Sequence, residues 1–411
     1  MHTTHARSRA ARTPWWRLLP LLAALAMIAA ACGDDGDTAA DQPTPDAQEE
    51  AAGDDGAGED EAAEGDAARE LANVTAAWKN DPLALDLDPL EPPADDIVVN
   101  DTSQYAKDEP YRIAFASQGP TNSWALTYDE SLFHHAEQNY PDLELLYADA
   151  NGDADKQVND IEDLLVQQPD ALIVTPLGAA VQGSVERAAA QGVPVILCTG
   201  RVDTDAFVTR VDRDNRLNGT LTAEWIAKQI DYDGKIVMIS GIAGVPTAED
   251  RLAAASAVFE QYPDIEILGH EYANWSPTEG KRVMESLLVE HDEIDAVWSD
   301  SGFLSGAVEA FGEAGREIPP LTGEPVNGFL RVAAENDLKF AAVGYPPSHS
   351  TQCLDAAVET LQGEPQPSFI NVDAAVFTQG ELDQYYEPEC SDDLWVPSEL
   401  PERKLDELNL C

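Results

Sequence analysis

From Tyr111 onward the chain alternates short β-branched runs with amphipathic stretches. "YRIAFAS" precedes "WALTYDESLFHHAEQNY", and "LELLYAD" precedes "ADKQVNDIEDLLVQQ". In the latter, Val158, Ile161, Leu164 and Leu165 recur at helical spacing and share one face. "DALIVTPL" then leads to "AAVQGSVERAAAQG" and "VPVILCTG". Apolar strands separated by helical crossovers predict a parallel sheet covered on both faces.

After the polar run "TRVDRDNRLNG" the pattern restarts with the helix "LTAEWIAKQI", the strand "GKIVMISG" and the helix "AEDRLAAASAVFEQY", and it continues to "KFAAVGY". The chain therefore reads as α/β, with two doubly wound parallel-sheet lobes in series. The first crossing between them is expected near Asp212 to Asn215. Residues 71–110 regain Trp78 and several Leu but are rich in Pro and Asp, so they are expected to be an irregular lead-in.

The first 31 residues differ from all of this. Arg7, Arg9, Arg12 and Arg17 precede an apolar stretch from Leu18 to Ile28, and Ala29, Ala30 and Ala31 precede Cys32. That is the layout of a secretory signal, and it predicts export. The segment from Gly33 to Glu70 has no aromatic residue and little to bury, so it reads as a disordered tether. It holds 15 acidic residues and one Arg, a charge of −14, which leaves −39 of the total −53 to the rest of the chain. An excess of 77 acidic over 24 basic residues argues against nucleic acid and against an electrostatic grip on anionic lipid. It suits a saline medium, where short Debye lengths screen self-repulsion.

Four cysteines follow Cys32 and allow three pairings outside the cytoplasm. Cys390 and Cys411 flank a short C-terminal extension and are the expected pair, while Cys198 in an apolar strand is expected to be a free buried thiol.

Enzyme signatures are missing: G-x-S-x-G, a Walker A loop, a G-x-G-x-x-G after a strand and H-E-x-x-H are all absent. His134 and His135 are adjacent and cannot face one metal from a helix. No catalytic residue, metal or cofactor is therefore expected. Ligands of open α/β sheets bind beyond the carboxyl ends of the strands. The residues there include Asn122, Trp124, Thr199, Arg201, Asn215, Arg251, Trp275, Asp300, Glu324 and Tyr345. Such a mixture suits a sugar or polyol, whose C–H faces stack on aromatic rings while its hydroxyls donate to carboxylates and accept from guanidinium and amide groups.

Several local motifs resemble the periplasmic binding proteins of the ribose-binding type, over roughly Tyr111 to Glu364. "TNSW" puts Asn122 and Trp124 at the family's Asn and stacking-aromatic positions. "PVILCTGR" is similar to the segment ending in a ligand-binding Asp-Arg, and "VDRDN" to the hinge entry. "SGIAGVPTAEDR" puts Arg251 on a ligand-binding Arg, and Trp275, Asp300 and Glu324 fall on aromatic, Asn and Asp positions. Ala125 departs from the pattern, standing where a second stacking aromatic is common. "MIAAACGDDGD" resembles a bacterial lipobox, which makes Cys32 the lipidated first residue of the mature chain.

The resemblance implies a monomeric, lipid-anchored receptor at the outer face of the cell membrane or in the periplasm. It would close on a sugar or polyol between its lobes and deliver it to the permease of an ATP-driven importer. A sensory, chemotaxis or quorum-signal receptor of the same fold, or a receptor for another small polar ligand, is the alternative. The implied hinge is crossed three times, which divides the chain into a signal (1–31), a lipidated tether (32–70), a lead-in (71–110), a first lobe (111–214 with 346–368) and a second lobe (215–345 with 369–411).

Overall fold

The computed structural model describes residues 73–74, 77–90, 97–302 and 304–411, all within one compact unit. The expected export signal, Cys32 and the expected acidic tether lie outside the described residues. A short strand β1 (Val99–Asn100) precedes the first lobe, which is built from β2 (Arg112–Ser117), α1 (Ser123–Asn139), β3 (Glu144–Asp149), α2 (Ala154–Val166), β4 (Ala171–Val174), α3 (Gln182–Ala190), β5 (Val195–Cys198) and β6 (Thr209–Asp212). The second lobe follows with α4 (Asn215–Gln229), β7 (Gly234–Ser240), α5 (Pro246–Phe259), β8 (Ile265–Tyr272), α6 (Pro277–Glu290), β9 (Ala296–Ser299), α7 (Leu304–Ala314), β10 (Leu321–Gly323), α8 (Asn327–Asn336) and β11 (Phe340–Val343). The chain then returns through α9 (Ser350–Gln362), β12 (Gln366–Pro367), β13 (Phe369–Asn371) and β14 (Val376–Thr378).

The first sheet has the order β13-β6-β5-β4-β2-β3, all parallel, and the second has the order β14-β11-β10-β9-β7-β8, parallel except for β14. These are the two doubly wound lobes predicted. Alternate strand residues point to opposite faces. Ile113 and Phe115 of β2 therefore meet Tyr128 and Leu132 of α1 and Leu354 of α9, while Ala114 and Ala116 meet Ile161 and Leu164 of α2. In the second lobe, Val237 and Ile239 face α6 to α8, and Ile236 and Met238 face α4 and α5. The central strands of each sheet are buried on both sides, which is why they read as unbroken apolar runs.

The lobes are joined at 212–215, 344–347 and 372–375. The amide of Val372 donates to the Asp212 carbonyl at 2.9 Å and that of Gly344 to the Ala375 carbonyl at 2.7 Å, so the crossings are bonded to the neighbouring chain. The last crossing corrects the sequence-based boundary. Phe369–Asn371 pairs with β6 in the first sheet, so the return to the second lobe comes after residue 371 rather than at 369.

Two further expectations are corrected. The lead-in is not irregular throughout: residues 77–84 are helical, and Trp78 and Leu85 are buried with α4 and α5 of the second lobe. Asp81 accepts from the buried Arg213 at 2.8 Å, pinning the lead-in to the first crossing, and β1 pairs with β12. Cys198 is not a free thiol. It is bonded to Cys353, joining β5 to α9 across a Cα separation of 6.2 Å, and Cys390 is joined to Cys411.

Candidate functional site

In both sheets the chain reverses its winding after the first strand, leaving crevices at β2/β4 and β7/β9. The side chains that follow those strands meet between the lobes. Arg251 is the hub, and two glycines shape its surroundings. Gly219 of α4 lies so close to the Arg251 carbonyl that a Cβ there would collide with it, which lets α5 approach the start of α4. The Arg251 Nε donates to Asn215 Oδ1 at 2.8 Å. Its Nη1 donates to the Asp300 carbonyl at 2.6 Å and to Glu324 Oε1 at 2.9 Å. Its guanidinium carbon lies 4.7 Å from the Tyr345 ring centroid. The second glycine, Gly241, lies under the Trp275 indole with no room for a Cβ, and its amide donates to Asp300 Oδ2 at 3.2 Å.

Tyr345, in the second crossing, ties this cluster to the first lobe. Its hydroxyl donates to Asp212 Oδ1 at 2.5 Å, and its carbonyl accepts from the Trp124 Nε1 at 2.7 Å. Trp124 stacks between Tyr345 and Tyr128, with centroids 5.5 and 5.0 Å away. Thr199, held at a φ of 60°, meets His349 at 2.7 Å. His349 Nδ1 faces the Pro346 carbonyl at 2.6 Å and must carry the proton, so Nε2 accepts from the Thr199 hydroxyl. Burial lowers the His349 pKa to about 4, which keeps the ring neutral.

The site is acidic around the Arg251 guanidinium. Burial raises Asp300 to about 6, against the pull of Arg251 and the Gly241 amide. Burial likewise raises Glu324 to about 7, with Arg251 pulling the other way. Asp212 is also raised by burial. Two polar atoms at the centre, Arg251 Nη2 and Asp300 Oδ1, are buried without a hydrogen-bond partner.

Of the ten residues predicted, Trp124, Tyr345, Asn215, Arg251, Asp300 and Glu324 form this contiguous network, Thr199 joins it through His349, and Trp275 borders it through Gly241. Asn122 caps α1, accepting from the Ala125 amide at 2.9 Å. Arg201 lies apart, making a two-pronged pair with Asp250 of the opposite lobe at 2.8 and 2.9 Å. Sequence reasoning missed Tyr128 and His349. Tyr128 stands four residues beyond Trp124 on the same helix face, and that spacing was the available signal; His349 sits in a short 3-10 turn that no periodicity marks. Among the described residues, no group of three or more His, Cys, Asp or Glu is placed to hold a metal.

The fold and the interlobe network define a two-lobed binding protein. Residues 113–365 match the model of the periplasmic binding protein domain, so the chain belongs to that family, in its ribose-binding-like type 1 branch. It is 27% identical to the ribose import binding protein of Bacillus subtilis over 239 residues, covering 58% of this chain and 78% of that protein. It is 29% identical to the xylitol-binding protein of Mycolicibacterium smegmatis over 184 residues, covering 44% of this chain and 53% of that one. Among solved structures it is similar to the arabinose ABC transporter binding component of Shewanella sp. ANA-3, bound to arabinofuranose, with a TM-score of 0.61, 25% identity, and coverage of 66% of this chain and 93% of that one. The family consists of substrate-binding proteins rather than enzymes.

Proposed function

We propose that this chain is an exported solute-binding lipoprotein of an ABC importer, anchored through Cys32, that closes on a sugar or polyol between its lobes and hands it to a permease. One observation carries the ligand class: a donor, Arg251 Nη2, and an acceptor, Asp300 Oδ1, are both buried and unpartnered in one aromatic-walled network. Vicinal hydroxyls can accept from the first and donate to the second. Leaving either group unpaired costs roughly 1 to 3 kcal/mol, so such a ligand is favoured over one lacking a hydroxyl there. The acidic surroundings disfavour phosphate and carboxylate ligands. Contacts made from both lobes stabilise the closed form, and that differential affinity drives closure. The sugar and polyol ligands named for the relatives support the same reading.

The experiment is a thermal-shift and tryptophan-fluorescence screen against pentoses, hexoses, polyols and amino acids. A sugar or polyol is expected to raise the melting temperature and alter Trp emission. If only an amino acid or nucleoside did so, the ligand class would be wrong.

A further inference from the structure

The C-terminal extension beyond residue 379 is fixed to the second lobe by many bonds. Asn327 Nδ2 donates to the carbonyls of Glu387, Cys390 and Ser391 at 2.8, 3.3 and 3.1 Å. Arg331 holds Asp392 at 2.8 and 2.6 Å. The Asn327 amide donates to the Leu394 carbonyl and the Val396 amide to the Pro325 carbonyl, while Cys390–Cys411 closes the extension on itself. Leu394, Val396 and Leu400 accordingly lie in the second lobe's core.

Trp395, between two of them, points the other way. It is 8% exposed and is buried in the first lobe's cluster, the one that contains Trp124, Tyr128 and Tyr345. Its Nε1 donates to Ser123 Oγ, at the first turn of α1, at 3.1 Å. Further along, Lys404 reaches Glu130 of α1 at 3.4 Å. Open clefts flank this segment. One of about 250 Å³ is lined by Trp395 and Pro397 together with the hinge residues Tyr345 and Pro346. Another of about 330 Å³ is lined by Glu399 and Leu400 together with His134 and His135. The extension thus rests on the first lobe by a side-chain plug and an ion pair, but is built into the second lobe through its backbone.

We infer that the C-terminal extension is a strap across the lobes, and that Trp395 is a positioning residue that sets the balance between the open and closed forms. Lobe rotation away from this arrangement must withdraw the indole from the first lobe, exposing its ring and leaving its N–H without Ser123. A contact made only in the closed form shifts the population toward that form. Tryptophan suits the role because it buries a large area at the cost of only two rotatable bonds. The inference requires the lobes to move on the hinge, as the proposed function does, but no particular ligand, so the test is read on the ligand-free protein and its outcome is independent of the sugar screen.

Spin labels carried on ketone-bearing residues at Glu186 of α3 and Ala253 of α5, both exposed, leave the disulfides intact. They flank the cleft, because a Cβ on Gly178, ahead of α3, would meet the carbonyl oxygen of Gly244, ahead of α5, at 3.5 Å. Pulsed dipolar spectroscopy on the full chain is expected to give mainly the short distance. Trp395→Ala is expected to raise the long-distance fraction relative to the short one at least tenfold, and Trp395→Phe, which keeps the ring and loses the hydrogen bond, by less. Should Trp395→Ala fail to fold, the pair Ser123→Ala with Lys404→Gln decides, since it leaves the plug in place and is expected to shift the same ratio at least threefold. An unchanged distance distribution in Trp395→Ala, or in that pair, would overturn the inference.

Discussion

Asp300 sits where burial works against its charge, and its pKa of about 6 stands above the unfolded value near 4. Between those values the folded chain binds the extra proton, so this group's contribution to stability is fully present below about pH 4 and is lost as pH rises toward 6. Glu324, at about 7, and Asp129, at about 6, act in the same direction, and for both the largest cause is again burial. Asp300→Asn removes one of these penalties. It is expected to raise the ligand-free stability at pH 7.5 by on the order of 1 to 3 kcal/mol and to flatten its fall between pH 4 and 6. Urea denaturation at several pH values measures both effects, and an unaltered slope would remove Asp300 from the account. Trp124 and Arg251 are less clean probes, because both are also structural. Trp124→Ala would cost about 3 to 5 kcal/mol in packing, and removing Arg251 would leave Glu324 buried and unpaired. Strand ends made most of this site legible in the sequence. His349 was not legible, because it enters from a turn, and Tyr128 showed only in its four-residue spacing from Trp124 on one helix face.

At the scale of elements, the bond from Cys198 to Cys353 ties the last residue of β5 to α9, a helix that reaches the first lobe only after the chain has built the second. The 155-residue separation makes this a large loop to close. In the chain-entropy model such a cross-link stabilises by about 5 kcal/mol. Cys198→Ala with Cys353→Ala is therefore expected to lower the stability of the first lobe by roughly 3 to 5 kcal/mol, read from its chemical denaturation, while Cys390→Ala with Cys411→Ala, closing only 21 residues, costs less. The reverse ranking would refute this account. Four cysteines admit three pairings, and nothing local in "VILC" or "STQCLDAAV" brings the two together; only the return of α9 does. The boundary at β13 was illegible for a related reason. "FINVDAAVF" is a mostly apolar stretch with only Asn371 and Asp373 inside it, and its division between sheets depends on which strand each half meets, β6 or β11. The lead-in was underread because its Pro and Asp content outweighed Trp78 and the Leu residues noted there, although a helical spacing carries Trp78 and Leu85 into the second lobe.

For the molecule as a whole, the charge of −53 means that repulsion between like charges opposes the compact state everywhere on the surface. Ion pairs between the lobes oppose it: Lys404 with Glu130 under the extension and, across the cleft, Arg201 with Asp250. With the Arg201 side chain 48% exposed, that pair is worth about 1 kcal/mol at most, and salt screens it. The two effects therefore respond to salt with opposite signs and can be separated. Raising KCl from about 0.05 to 1 M shortens the Debye length to about 3 Å and should raise the melting temperature by several degrees, because distributed repulsion is screened while burial is not. Asp250→Asn should shift the interlobe equilibrium toward the open form by less than about tenfold at low salt, and by a negligible amount at 1 M. Dipolar spectroscopy between labels on the two lobes reads the second effect, and calorimetry the first. A melting temperature that falls with salt would mean that discrete ion pairs, rather than net charge, dominate the surface, and an Asp250→Asn shift that persists at 1 M would mean that the cross-cleft pair acts by a directed hydrogen bond instead of by charge.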